Sequence, residues 1–198
     1  MTRPPRPPVH ALQAAGQVRI IGGQWRNTRL PVADAAGLRP TSDRVRETLF
    51  NWLSPALPGA RVLDAFAGSG ALGLEAVSRG AASTVLVERD RALADGLRAV
   101  VARLSAAGRV QVIHADALVW LATQGVGSFD IAFVDPPFAT DLLDRALPAI
   151  DRVLSPDAWL YIEAPIDERI TLPGWTRHRD GSTRDVRYAL WRRASPSA

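Results

Sequence analysis

Apolar and polar positions along this chain fall into alternating blocks of two kinds. Short apolar runs occur at 61–65, 84–88, 110–114, 130–134 and 159–163. Between them lie segments with apolar residues at helical spacing: 71–79, a stretch with Leu93, Leu97, Val100 and Leu104 on one face, 117–123 and 141–154. Short apolar runs alternating with segments of helical spacing predict strands alternating with helices. That order means a parallel, doubly wound α/β sheet. Pro148 is a point at which the helix over 141–154 can split. The segment 174–193 reads as two strands around Asp180-Gly181-Ser182, an antiparallel ending to the sheet.

Ahead of the sheet the pattern is different. Val18-Arg19-Ile20 alternates, Gly22-Gly23 turns, and Leu30-Pro31-Val32 returns, which predicts a hairpin over 17–32. Thr41 or Ser42 then caps a helix whose core face holds Val45, Leu49, Trp52 and Leu53. The expected organisation is a basic, proline-rich disordered tail at 1–16 and a hairpin-and-helix extension at 17–53. An α/β domain follows at 54–193, with a frayed end at 194–198.

Composition narrows the function. There is no cysteine, so disulfides, thiolate zinc sites and cysteine nucleophiles are excluded. Three scattered histidines make no metal set, and no metal is expected. No apolar run is long enough to cross a bilayer as a helix, and a cytoplasmic monomer is expected. The net charge of +4 is carried entirely by arginine, with no lysine, which excludes Walker-type phosphate binding and Schiff-base chemistry. Residues 1–46 hold eight arginines against Asp34 and Asp43, so the positive charge gathers ahead of the sheet. Arg19, Arg26 and Arg29 flank Trp25, and Arg39, Arg44 and Arg46 surround the start of the first helix. Arginine beside an aromatic suits RNA, by phosphate pairing and base stacking. A solvated hairpin face with Trp25 packed inward is the alternative.

The candidate chemistry sits at strand ends. Leu63-Asp-Ala-Phe-Ala-Gly-Ser-Gly70 is a strand running into a glycine turn and a helix. Gly68-x-Gly70-x-x-Gly73 spells a dinucleotide fingerprint, which leaves a nicotinamide-dependent oxidoreductase as an alternative. Asp64, however, closes the strand where a pyrophosphate would be repelled. A cationic ligand with an amino-acid ammonium, such as S-adenosylmethionine, suits it better. Glu88, Asp116 and Asp135 also fall at or just past strand ends, and ligands of open α/β sheets bind at that rim. Glu88 can accept both ribose hydroxyls and Asp116 the adenine amine. Phe66, Ala67 and Ala117 complete the apolar and backbone contacts around Gly68 and Gly70. Asp135-Pro136-Pro137-Phe138 places a carboxylate, a rigid carbonyl and a flat ring together. Such a set grips a planar base by its exocyclic amine. Two acceptors on the amine hydrogens turn its delocalised lone pair toward attack on a sulfonium methyl.

These blocks also carry a resemblance. Arg19-Ile-Ile-Gly-Gly-Gln-Trp-Arg26, Leu38-Arg-Pro-Thr-Ser-Asp-Arg-Val-Arg-Glu-Thr-Leu-Phe-Asn-Trp-Leu53, Leu63 to Glu75 and Val134-Asp-Pro-Pro-Phe138 are similar to the bacterial 16S ribosomal RNA guanine-N2 methyltransferases of the small-subunit methyltransferase D family. The resemblance spans about residues 17 to 192. It implies a class I S-adenosylmethionine-dependent methyltransferase with a Rossmann-like sheet. It also implies methylation of a guanine N2 in 16S rRNA, within the small ribosomal subunit. Another RNA or DNA base, or a non-catalytic RNA-binding module on this scaffold, are the other readings.

Overall fold

The computed structural model describes residues 14–33, 42–137 and 141–194. Arg39, Thr41, Phe138 and most of both predicted tails lie outside them. The described chain opens with β1 (Ala14–Arg19) and β2 (Arg29–Ala33), an antiparallel pair. The predicted tail therefore ends earlier than expected. Ala14 pairs with Ala33 across a register shift, so the first strand begins inside the segment read as a tail. Helix α1 (Asp43–Leu53) follows, and the Ser42 hydroxyl caps it by accepting from the Val45 N–H at 3.3 Å.

The remaining elements are β3 (Arg61–Asp64), α2 (Ala71–Ser78), β4 (Ser83–Glu88), α3 (Arg91–Arg103), β5 (Val110–His114), α4 (Ala117–Ala122), β6 (Phe129–Val134), α5 (Leu142–Val153), β7 (Leu154–Pro165), β8 (Trp175–Ser182) and β9 (Val186–Arg193). Seven of the strands form one sheet in the order β5-β4-β3-β6-β7-β9-β8. The first five are parallel, while β9 runs antiparallel to both β7 and β8. The order reverses at β3, which has β4 on one side and β6 on the other. That reversal opens a crevice at the strand C-termini.

Residues of one strand divide between two cores because side chains alternate across a sheet. Val62, Phe133 and Tyr161 face one layer, built from α1, α2, α3 and the hairpin. Leu63, Val134 and Ile162 face the other, built from α4 and α5. In α1, Leu49, Phe50 and Leu53 are fully buried, each contributing about 1.5–3 kcal/mol. The Phe50 ring meets Phe133 edge-on at 5.9 Å, which fixes α1 against the sheet.

Three local expectations change. Helix α5 runs unbroken through Pro148. Leu143, Ala146, Ile150 and Val153 are buried on both sides of it, while the proline itself is exposed. Strand β7 begins at Leu154 rather than 159, directly out of the helix. Pro156 is accommodated there because the β6–β7 register shifts between Phe129 and Ile131. The last hairpin turns at 183–185, and Asp180-Gly181-Ser182 belongs to β8. The Thr183 N–H donates to the Val186 carbonyl at 2.8 Å and closes that turn.

Candidate active site

The loop after β3 is shaped by backbone that only glycine permits. Gly68 (φ 51°) and Gly70 (φ 72°) turn the chain into α2. A side chain on Gly73 would overlap Leu86 and Thr84, so the helix packs directly on the strands there. Asp64 ends β3 beneath this turn. It is 3% exposed, and its Oδ2 accepts from the Gly73 N–H at 3.0 Å. Burial raises its carboxyl to about 7, against the lowering by that N–H, and the Glu88 charge adds to the rise.

Glu88 ends the neighbouring β4. Its Oε2 accepts from Gly68 N–H at 2.9 Å and its Oε1 from Asp90 N–H at 2.7 Å. The carboxylate is thus fixed in orientation, and each oxygen keeps a lone pair for a ligand. Asp116 follows β5 and caps α4, with Oδ1 accepting from Leu118 and Val119 N–H at 2.9 and 3.2 Å. Among the described residues its Oδ2 has no hydrogen bond.

A crevice with a cavity volume of about 90 Å³ joins these ends. Phe66, Glu88, Asp116 and Ala117 line it, as do Pro137 from the β6 end and Leu142 from α5. Asp64, Ala67, Gly68 and Gly70 stand behind the wall and shape it rather than line it. Ala67 does so by donating its N–H to the Val87 carbonyl at 2.9 Å. Val87, Ala115 and Leu118 also line the crevice and were not singled out in the sequence, where they look like ordinary core positions. Arg89 stands exposed at the lip.

The β6 end meets the β3 end directly. Asp64 pairs with Phe133, and the Ala65 N–H donates to the Phe133 carbonyl at 3.1 Å. Asp135 and Pro136 therefore follow just past the level of the glycine turn. Asp135 is half-buried, Pro136 is buried and Pro137 is exposed. The crevice wall and the Asp-Pro-Pro turn share Pro137.

The basic residues divide. Arg19, Arg26, Arg29 and Arg44 are exposed on the N-terminal extension. Two predicted RNA contacts are corrected. Trp25 is 7% exposed, packed in the core under the Arg109 guanidinium, and offers no face for a base. Arg46 is fully buried and pairs with Glu75 at 3.2 Å and Asp43 at 2.7 Å, while donating to the Arg19 carbonyl at 2.8 Å. Glu75 was missed altogether. It is fully buried and accepts from the N–H groups of Ile21 and Gly22, both at 3.1 Å, and from Arg79. Ser78 adds a bond from Trp25 N–H at 2.8 Å. Arg46, Glu75 and Ser78 thus fasten the hairpin and α1 to α2, which holds the exposed arginines in a fixed relation to the sheet.

The chain is similar to known proteins over most of its length. Residues 18–192 match a family model described as conserved hypothetical protein 95. The ribosomal RNA small subunit methyltransferase D of Escherichia coli K12 is 47% identical over 183 residues, covering 90% of this chain and 91% of that protein. Its Haemophilus influenzae namesake is 40% identical over 183 residues, covering 90% and 95%. The solved structure of the Escherichia coli protein yhhF superposes with a TM-score of 0.81 at 45% identity, covering 91% of this chain and all of that one (100%).

Proposed function

We propose, because this chain belongs to the ribosomal RNA small subunit methyltransferase D family, that it transfers a methyl group from S-adenosylmethionine to the exocyclic N2 of a guanine in 16S rRNA of the small ribosomal subunit. It is a methyltransferase, and that displaces the nicotinamide reading of Gly68-x-Gly70-x-x-Gly73. The single observation that carries the site assignment is the adjacency of β3 and β6. The donor crevice and the Asp135-Pro136-Pro137 turn open side by side at one rim.

The residues fit the donor. Phe66, Val87 and Leu118 offer apolar walls for a purine, and Asp116 Oδ2 is placed to accept from its amine. Glu88, already oriented by Gly68 and Asp90, takes the ribose hydroxyls. The Asp64 carboxyl lies behind the turn and supplies negative potential to the cationic end through water or at its edge. Bound there, the cofactor supplies an electrophilic methyl on sulfur.

The base end is built for an amine. Asp135 Oδ and the Pro136 carbonyl accept the two N2 hydrogens. Neither proline has an N–H to compete, and their rings hold the acceptors rigid. Positioning and electrostatics do most of the work, since no bond to the protein forms. The exposed Arg19, Arg26, Arg29 and Arg44 of the N-terminal extension supply positive charge for the RNA backbone.

The test is methyl transfer from labelled S-adenosylmethionine to small subunits from a strain lacking this gene, with the product nucleoside identified. N2-methylguanosine is the expected product. Label in another base, or none, overturns the assignment.

A further inference from the structure

The row of residues at the β6 end continues across the sheet. Val134 pairs with Ile162 of β7, so Asp135 and Glu163 follow as the next parallel row, with backbones about 5 Å apart. Glu163 in turn pairs with Tyr188 of β9. Phe133 and Tyr161 lie two residues before Asp135 and Glu163, and their rings meet edge-on at 6.2 Å on the α1 side of the sheet. Asp135 and Glu163 thus belong to that same side. Glu163 is 5% exposed, and the buried Tyr161 hydroxyl donates to its Oε1 at 2.8 Å. Burial raises the Tyr161 phenol well above its usual range, and Glu163 and then Asp135 add to this, so both carboxyls act on the neutral hydroxyl.

We propose that Glu163 is a positioning residue of the methyl-transfer site, a second carboxylate behind Asp135 whose negative charge favours the cationic nitrogen formed in the reaction. The proposal rests on the reading of this rim as the amine-binding site. When N2 attacks the sulfonium methyl, a nitrogen–carbon bond forms and the carbon–sulfur bond breaks with its electron pair left on sulfur. The nitrogen then carries a positive charge until one proton leaves to Asp135 or to water. A buried carboxylate one strand away acts on that charge in a medium that screens poorly. Tyr161 orients Glu163 by donating its hydroxyl to Oε1 at 2.8 Å. A buried acid is costly unless it is paired or hydrogen-bonded, and the Tyr161 hydroxyl supplies such a bond.

The experiment compares Glu163→Gln, Glu163→Asp and Tyr161→Phe in the full chain. Readouts are methyl transfer to small subunits, cofactor affinity by calorimetry and thermal unfolding. Glu163→Gln keeps the volume and an acceptor for Tyr161 but removes the charge. It is expected to lower kcat about ten-fold or more while KM and affinity for S-adenosylmethionine and the melting temperature stay near wild type. Glu163→Asp restores part of the rate, and Tyr161→Phe gives a smaller loss than Glu163→Gln. A Glu163→Gln enzyme with kcat within about two-fold of wild type overturns the proposal. So does a rate loss that tracks a fall in melting temperature and is not relieved by Glu163→Asp. If the wild type itself methylates no small subunit, the substrate reading fails first, and that result is distinct from either.

Discussion

Replacing Glu75 with alanine tests how the N-terminal extension is held. The carboxylate accepts from Ile21 and Gly22 N–H at 3.1 Å each, from Arg46 at 3.2 Å and from Arg79 at 2.8 Å. Glu75 and Arg46 are both fully buried. Removing one partner of a buried pair costs about 3–5 kcal/mol because the other charge is left uncompensated. Arg46 keeps its bonds to Asp43 and to the Arg19 carbonyl, which argues for the lower end. The two orphaned backbone N–H groups add about 1 kcal/mol each. The expected total for Glu75→Ala is about 4–5 kcal/mol, or a fall in melting temperature of roughly 8–20 °C for a chain of this size. The loss should be concentrated in the extension. Urea unfolding gives the total, and hydrogen exchange at Ile21 and Gly22 gives its location. A cost below about 1 kcal/mol, with both amides still protected, would refute the hub assigned to Glu75.

Asp64 makes stability depend on pH. Its folded carboxyl lies at about 7 against the usual 3.8, so the folded state favours its protonated form. Its contribution to stability is full below about pH 4, is lost as pH rises through 7, and then stays level. Three pH units correspond to about 4 kcal/mol, an order-of-magnitude figure. Asp64→Asn should match wild type near pH 4 and exceed it at pH 8 in chemical denaturation; parallel curves at all pH values would contradict this. A cationic ligand near Asp64 favours the ionised form, so S-adenosylmethionine should bind more tightly at pH 8 than at pH 6, measured by calorimetry. Arg26 and Arg44 are exposed and carry no ion pair among the described residues. The double variant Arg26→Ala/Arg44→Ala should weaken small-subunit binding and reduce its salt slope by about 1–2, with no change in melting temperature. Arg46→Ala should instead lower the melting temperature.

The parts of this structure that could be read beforehand are those written in local patterns. The alternation of strands and helices, the turn at Gly68 and Gly70, and the acids at strand ends all follow from short-range physics. Each strand-end acid sits where its neighbours in sequence put it. The parts that could not be read depend on packing between distant segments. Nothing local distinguishes Arg46 from Arg44, yet one turns toward α2 to meet Glu75 and the other faces solvent. Trp25 is likewise decided by Arg109 and the α2 end, both remote in sequence. Glu75 looked like a routine charge in an alanine-rich helix, and only the docking of the hairpin makes it a hub. The continuation of α5 through Pro148 and the shift of the last turn to 183–185 have the same origin. Burial of Leu143, Ala146, Ile150 and Val153 outweighs the proline, and the β8–β9 register outweighs the turn propensity of Asp180-Gly181.

The most direct test of the account separates the two halves of the rim. In Asp135→Ala, calorimetric titration with S-adenosylmethionine should give wild-type affinity, because the crevice at β3, β4 and β5 is untouched. Methyl incorporation into small subunits by the same preparation should fall by a factor of about a thousand or more. Normal incorporation by Asp135→Ala, or loss of cofactor affinity equal to the loss of transfer, would contradict the placement of donor and amine in adjoining halves of one site.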